Sequence, residues 1–212
     1  MQRIAIDMDE VIADVMPKFL DLYEQRFRKH LRREDYWGKK IYQIPGAEYI
    51  REAIYDKGFF KGLPVMPGSR EGIKELMENY EVFIVTAAME FRNSFEDKYD
   101  WLREHFPFIH WKNIVFCGDK SIVQADYMID DHAFNLEKFE GKPLLYTSSH
   151  NVHETRFRRV NNWEEVMAYF RAEIGDSGFG DSELYSRISR RTQLVRQKVP
   201  FKVLAFSHSL IH

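Results

Sequence analysis

Short apolar runs rich in β-branched or aromatic side chains recur along the chain: Ile4-Ala5-Ile6, then Glu81 to Val85, Asn113 to Cys117, Tyr127 to Ile129 and Pro143 to Tyr146. Runs of this kind predict buried strands. Between them, helical spacing of apolar residues covers Ser69 to Asn79, after the Pro67-Gly68 turn, Ser94 to His105, and Trp163 to Glu173. Acidic residues near several of these starts complement the positive end of a helix dipole. Strand alternating with helix predicts an α/β fold built on a doubly wound parallel sheet.

The stretch from Asp14 to Leu63 breaks the alternation. It has helical periodicity, several basic residues, and the aromatics Phe19, Tyr23, Phe27, Tyr36, Trp37, Tyr42, Tyr49, Tyr55, Phe59 and Phe60. A small helical cap inserted after the first strand is expected, most of its aromatics forming its own core and a few lining a ligand pocket. The expected organisation is a core of residues 1–13 and 64–174, a cap of residues 14–63, and an appendage of residues 175–212. That appendage opens with the turn-rich run Gly175 to Asp181, then becomes basic, and is assigned no catalytic role. No internal repeat or low-complexity tract is evident.

Composition narrows the class. With 212 residues, 44% of them hydrophobic, and a net charge of -2, the chain suits one soluble domain with a small insertion. Nothing in that balance points to a nucleic acid polymer or a membrane surface as partner, and no apolar stretch is long enough to cross a bilayer. A first strand beginning by Arg3 leaves no room for a signal region ahead of it. The single cysteine, Cys117, lies in an apolar run and reads as a buried structural thiol, so a reducing cytoplasm is expected.

The polar residues gather at strand ends. Asp7 and Asp9 follow the first strand, Thr86 ends the second, Lys120 lies in the loop after the third, and Asp130-Asp131 end the fourth. In an open α/β sheet the carboxyl edge is where ligands bind, so these residues should meet in one crevice. Two bare carboxylates about 4 Å apart repel by about 4 kcal/mol at an effective dielectric near 20, which a bound cation would offset. Oxygen-only ligands favour Mg²⁺, and no Cys/His set has a spacing suited to zinc. His150 and His153 read as part of a structural loop, while His132 is placed to orient metal ligands. An acid nucleophile, a second acid, a hydroxyl, a lysine and paired carboxylates are the parts needed for phosphoryl transfer through an aspartyl intermediate.

At this point the chain resembles the haloacid dehalogenase superfamily, through Asp7-Met8-Asp9-Glu10-Val11, Thr86, Lys120 and Asp130-Asp131 in order. Within it, Asp9 two residues after Asp7 is similar to the phosphatases. A closer resemblance, over about residues 3 to 170, is to the 5′(3′)-deoxyribonucleotidases. It is carried by Val11-Ile12-Ala13-Asp14, Phe59-Phe60, Met66-Pro67-Gly68, Val82 to Thr86, Lys98-Tyr99-Asp100-Trp101, Asp119-Lys120 before Asp130-Asp131, and Thr147 to His153.

The resemblance implies a Rossmann-like haloacid dehalogenase core that hydrolyses a (deoxy)nucleoside monophosphate. Asp7 would be the nucleophile and Asp9 the acid and base, with Thr86 and Lys120 on the phosphate oxygens. Mg²⁺ would sit on Asp7, the Asp9 backbone carbonyl and Asp131, with Asp130 direct or through water. Trp37, Phe59 and Phe60 would face the base or sugar. Glu10 stands where relatives carry Gly, and Ala87 and Glu90 where they carry Ser and Lys, so Arg92 or another cation is expected to compensate. The partner is a small phosphate monoester, and a homodimer is left open. The alternatives are a phosphatase acting on another small ester such as a sugar phosphate and, from a different class, a non-catalytic nucleotide-binding protein.

Overall fold

The computed structural model describes residues 1–175. The chain divides into two units, Met1–Ala168 and Tyr169–His212. The first contains the sheet and the candidate site. Of the second, residues 169–175 are the end of a helix, and the expected appendage lies almost wholly outside the described residues.

Six strands form one parallel sheet: β1 (Arg3–Ile6), β2 (Glu81–Thr86), β3 (Ile114–Phe116), β4 (Tyr127–Asp130), β5 (Lys142–Tyr146) and β6 (Arg158–Val160). Their order is β3-β2-β1-β4-β5-β6, so the chain winds outward from β1 first to one side and then to the other. The pairings of Ile6 with Ile84 on β2 and with Ile129 on β4 set the register. As all strands run the same way, Asp7, Thr86 and Asp130 come to one edge, and the switch of direction falls between β1 and β4. Ala5, Val85, Cys117, Met128, Leu136 and Leu145 form a buried cluster that holds these strands, with Cys117 the buried thiol expected.

The helices are α1 (Met16–Phe27), α2 (Arg33–Tyr36), α3 (Tyr49–Ala53), α4 (Ser69–Leu76), α5 (Ser94–His105), α6 (Ala133–Glu137) and α7 over 163–175. The insertion after β1 is helical, as expected. Pro17 in the first turn of α1 costs no hydrogen bond there, and Arg28 closes that helix in the left-handed region at φ 54°.

Two elements escape the hydrophobic pattern. β6 is a three-residue edge strand with only Val160 buried, and α6 spans five residues, too few to show a period. α4 ends at Leu76, short of the expected Asn79.

Between β1 and α1 the chain makes a compact turn. The amides of Ile12 and Ala13 both donate to the Met8 carbonyl at 2.9 Å, and Glu10 N donates to Ala13 O at 2.8 Å. Hydrogen bonds from Met66 N to Ile12 O and from Asp14 N to Pro64 O, both 2.8 Å, join the two ends of the insertion. Trp163 Nε1 donates to Val11 O at 2.8 Å and fastens the same turn from the C-terminal side.

Candidate active site

Asp7 sits at the tip of β1, its amide donating to Ile129 O at 2.9 Å. Its Oδ1 accepts from Met8 N at 2.7 Å and lies 2.6 Å from Lys120 Nζ, leaving Oδ2 as the oxygen that neither engages. Burial, above all, pushes the Asp7 carboxyl up to about 8, the nearby Asp130 and Asp131 adding to it and Lys120 opposing. Lys120 is itself 2.7 Å from Asp130 Oδ2. Burial works to lower the Lys120 ammonium, but its two carboxylate partners outweigh that and hold it above the ordinary lysine range.

Asp130 and Asp131 are adjacent but differently engaged. Asp130 is fully buried and accepts from Lys120 Nζ, His132 N at 2.8 Å, and Asn135 Nδ2 at 3.0 Å to each oxygen. Those donors nearly saturate it. Asp131 instead has one histidine on each oxygen: His132 Nδ1 at 2.8 Å and His150 Nε2 at 2.7 Å. Burial would raise the Asp131 carboxyl, yet the charges and hydrogen bonds of these rings outweigh it and hold it well below the usual carboxylate range. Asn151 Nδ2 fixes the loop by donating to Asp131 O and Tyr146 O, both 2.8 Å.

His150 therefore belongs to the site rather than to a purely structural loop. With His132 and Asp131 it forms a nitrogen-bearing cluster, where a structural loop was the expectation for His150. Neither histidine is near the other's position in sequence, so spacing held no signal.

Asp9 points into the same crevice. Its Oδ2 accepts from Lys98 Nζ at 2.5 Å, while Oδ1 is buried with no partner among the described residues. Lys98 Nζ also donates to Thr86 Oγ1 at 2.9 Å and stands over the Phe60 ring at 4.5 Å. Lys98 was legible in the resemblance but not as a site residue. Its signal is that it shares the buried face of α5 with Trp101 and Leu102, three and four residues on, where a lysine needs a partner. Neighbouring Asp97 accepts from Gly58 N at 2.8 Å, which anchors the Phe59-Phe60 turn.

A cavity of about 340 Å³ joins these parts, within the size range of small-ligand sites. Asp7, Asp9, Glu10, Lys120 and Asp131 line it, as do Phe19, Ile41, Ile54, Phe59 and Phe60 of the insertion. Phe59 packs on Phe19 at 5.8 Å and on Phe60 at 5.0 Å between centroids. Thr86 is buried behind the wall, its hydroxyl on Lys98. Besides Thr86, two more residues expected at the ligand are not brought to the wall. Trp37 is 37% exposed beneath the Arg33 guanidinium, and Arg92 is exposed and off the wall. Ala87 and Glu90 do line the cavity, as do the cap cations Lys40 and Arg51.

Glu10 adopts φ 59°, the left-handed region that favours glycine, and its carboxylate accepts from Ser148 Oγ, 3.9 Å from His150 Nε2. Burial, then Asp131, raises the Glu10 carboxyl. The charge of the crevice tests whether a cation fits. Asp7, Asp130 and Asp131 each offer a carboxylate oxygen within 4.8 Å of the others, all three buried. A divalent ion with hard oxygen ligands suits this set, because three buried carboxylates offer it oxygens at close range.

Comparison with known proteins matches residues 1–174 to the family described as 5′ nucleotidase, deoxy (Pyrimidine), cytosolic type C protein. A 5′(3′)-deoxyribonucleotidase of Bacillus subtilis (strain 168) is 44% identical over 168 residues, covering 77% of this chain and 95% of that protein. A Staphylococcus epidermidis protein (strain ATCC 12228), whose name assigns the same activity provisionally, is 47% identical over 171 residues, covering 80% and 96%. Among solved structures, a Had-superfamily hydrolase from Ehrlichia chaffeensis aligns with TM-score 0.51 at 13% identity, covering 81% of this chain and 97% of that one. A candidate β-phosphoglucomutase from Thermotoga maritima aligns with TM-score 0.54 at 15% identity, covering 81% and 99%. At such identities these structures speak to the fold alone.

Proposed function

Since the chain belongs to the family of 5′ nucleotidase, deoxy (Pyrimidine), cytosolic type C proteins, we propose that it hydrolyses a (deoxy)nucleoside monophosphate to nucleoside and phosphate, with Mg²⁺ and through an aspartyl phosphate on Asp7. The observation that carries this reading is one cavity lined both by Asp7 and Asp9 and by apolar and aromatic side chains of the insertion. The first suit a phosphate ester and the second a nucleoside. We take residues 14–63 as the cap that sets this part of the pocket.

Asp7 Oδ2, the oxygen left free by Lys120 and Met8, attacks phosphorus in line, forming the carboxyl–phosphate bond as the bond to the nucleoside oxygen breaks. Asp9 delivers a proton to that departing oxygen from Oδ1, whose partner is otherwise missing. Asp9 then takes a proton from water, which attacks phosphorus, releases phosphate and restores Asp7. Lys120 holds Asp7 in place and offers positive charge to the phosphate oxygens, and the Thr86 hydroxyl accepts from Lys98 and helps fix it against Asp9. Asp7, Asp131 and the Asp9 backbone carbonyl would hold Mg²⁺, which when bound neutralises charge on the transferring phosphoryl group.

The test is phosphate release from a panel of deoxynucleoside, ribonucleoside and sugar monophosphates, with Mg²⁺ or with chelator. Mg²⁺-dependent release favouring deoxynucleotides is expected. Release from sugar phosphates alone would move the substrate class, and silence across the panel would overturn the reading.

Lys98 is a positioning residue for Asp9, and Lys98→Met is expected to lower kcat about 10²-fold with little change in KM. With p-nitrophenyl phosphate, whose leaving group needs no proton, the loss should shrink to a few-fold. Equal losses on both esters would refute the assignment.

A further inference from the structure

Carboxylates outnumber the lysines and arginines on the cavity wall, with Asp7, Asp9, Glu10, Glu90 and Asp131 against Lys40, Arg51 and Lys120, yet on the reading above it receives a phosphate dianion. Its cations must be counted by what they are free to do. Lys120 is committed to Asp7 at 2.6 Å and Asp130 at 2.7 Å, and Lys98, behind the wall, to Asp9. The lysine and arginine that line the cavity without a carboxylate ion pair among the described residues are Lys40 and Arg51, both from the insertion.

Their placement is specific. Lys40 Nζ stands 2.9 Å from His132 Nε2, and His132 Nδ1 is 2.8 Å from Asp131 Oδ1. One imidazole ring thus separates the ammonium from a carboxylate that would hold the metal. The Lys40 ammonium has three N–H donors and at most one is directed at Nε2, so at least two remain for the cavity. Tyr42 lies between the two cations, its ring centroid 5.7 Å from Lys40 Nζ and 5.9 Å from Arg51 Cζ. Arg92, the cation expected to replace the one missing at Glu90, does not reach the wall.

We propose that the cap supplies the cation that recognises the substrate phosphate: Lys40 contacts the phosphate oxygens directly, and Arg51 draws the dianion in from outside. The assignment rests on the phosphomonoesterase reading and deepens it. Among the described residues, the lysine and arginine on the wall that no carboxylate engages both come from the insertion, so they add to the charge that Lys120 and a bound cation would supply. Recognition of the phosphate is thereby tied to the cap that also shapes the nucleoside pocket.

The test compares wild type with Lys40→Gln, Lys40→Arg and Arg51→Gln, measuring KM for a deoxynucleoside monophosphate and Ki for inorganic phosphate. Loss of a charged hydrogen bond should raise both about 10- to 100-fold in Lys40→Gln at nearly constant kcat, with Lys40→Arg recovering most of it. Arg51 is exposed, so Arg51→Gln should fold normally and raise both constants a few-fold. Lys29→Gln, an exposed cap control of equal charge change, should alter neither.

Unchanged KM and Ki in Lys40→Gln would overturn the proposal. So would a fall in kcat at constant KM, which would assign Lys40 to orienting Asp131 through His132. If wild type hydrolyses no monoester, the parent reading fails; inorganic phosphate binding by calorimetry, weakened or not in Lys40→Gln, still decides for or against the cap cation.

Discussion

Asp7→Asn should lower phosphate release by about 10⁴-fold or more while leaving a folded protein that is more stable than wild type at alkaline pH in the presence of chelator. The amide cannot form the carboxyl–phosphate bond, yet its carbonyl oxygen can still accept from Met8 N and Lys120 Nζ as Oδ1 does now. The stability arm follows from the sign of the shift. The folded-state carboxyl is raised to about 8 from an ordinary 3.8, so between those values the folded chain holds a proton that the unfolded chain has lost. Wild-type stability therefore falls as pH rises through that window, and asparagine, having no proton to lose, escapes the fall.

His132 steepens the wild-type decline. Burial works against its charged form, but Asp131 prevails and pushes it up to about 9, so its contribution is complete below the unfolded value near 6.5 and lost as pH passes 9. A chelated thermal melt at pH 8.5 should place Asp7→Asn above wild type by at least about 3 °C, the shift that about 1 kcal/mol gives in a chain of this length. Near pH 4.5 the two should converge. Retained turnover would remove Asp7 as nucleophile, and a pH-independent gap would remove its buried proton.

The sheet was legible because buried parallel strands are nearly continuous apolar runs, and the carboxyl-edge rule then gathered Asp7, Asp9, Lys120 and Asp131 on one cavity wall. What sequence left hidden depends on side-chain direction across elements. Trp37 lies in the insertion after β1, but against Arg33 and off the cavity wall, while Lys40, three residues later, lines the cavity. α2 is only one turn, and the segment after it has no period from which to read a face. His150 meets Asp131 because the short turn Ser149–Asn151 follows β5, which neighbours β4 in the sheet; strand order, not spacing, makes that contact.

Removing the divalent cation should lower turnover at least about 10³-fold, and the affinity for Mg²⁺ should itself rise with pH. The carboxylates that would bind it are not equally available. Asp130 already receives Lys120, Asn135 and the His132 amide, so it serves the frame more than the ion. Asp131 is kept ionised by two histidines, whose bonds a cation can replace. Asp7 is the proton-holding member, and a cation must displace that proton to use its oxygen.

One proton released per ion bound predicts that the Mg²⁺ dissociation constant falls about tenfold per pH unit between pH 6 and 8, flattening above. Titration calorimetry in two buffers of different ionisation enthalpy reads both the constant and the proton count. Asp131→Asn should abolish the binding, whereas Asp130→Asn should chiefly destabilise the fold, because it leaves part of the Lys120 charge buried and unmatched. A dissociation constant flat from pH 6 to 8 with no proton released would mean that the ion does not use Asp7. Asp131→Asn binding as wild type would move the metal off the β1–β4 edge altogether.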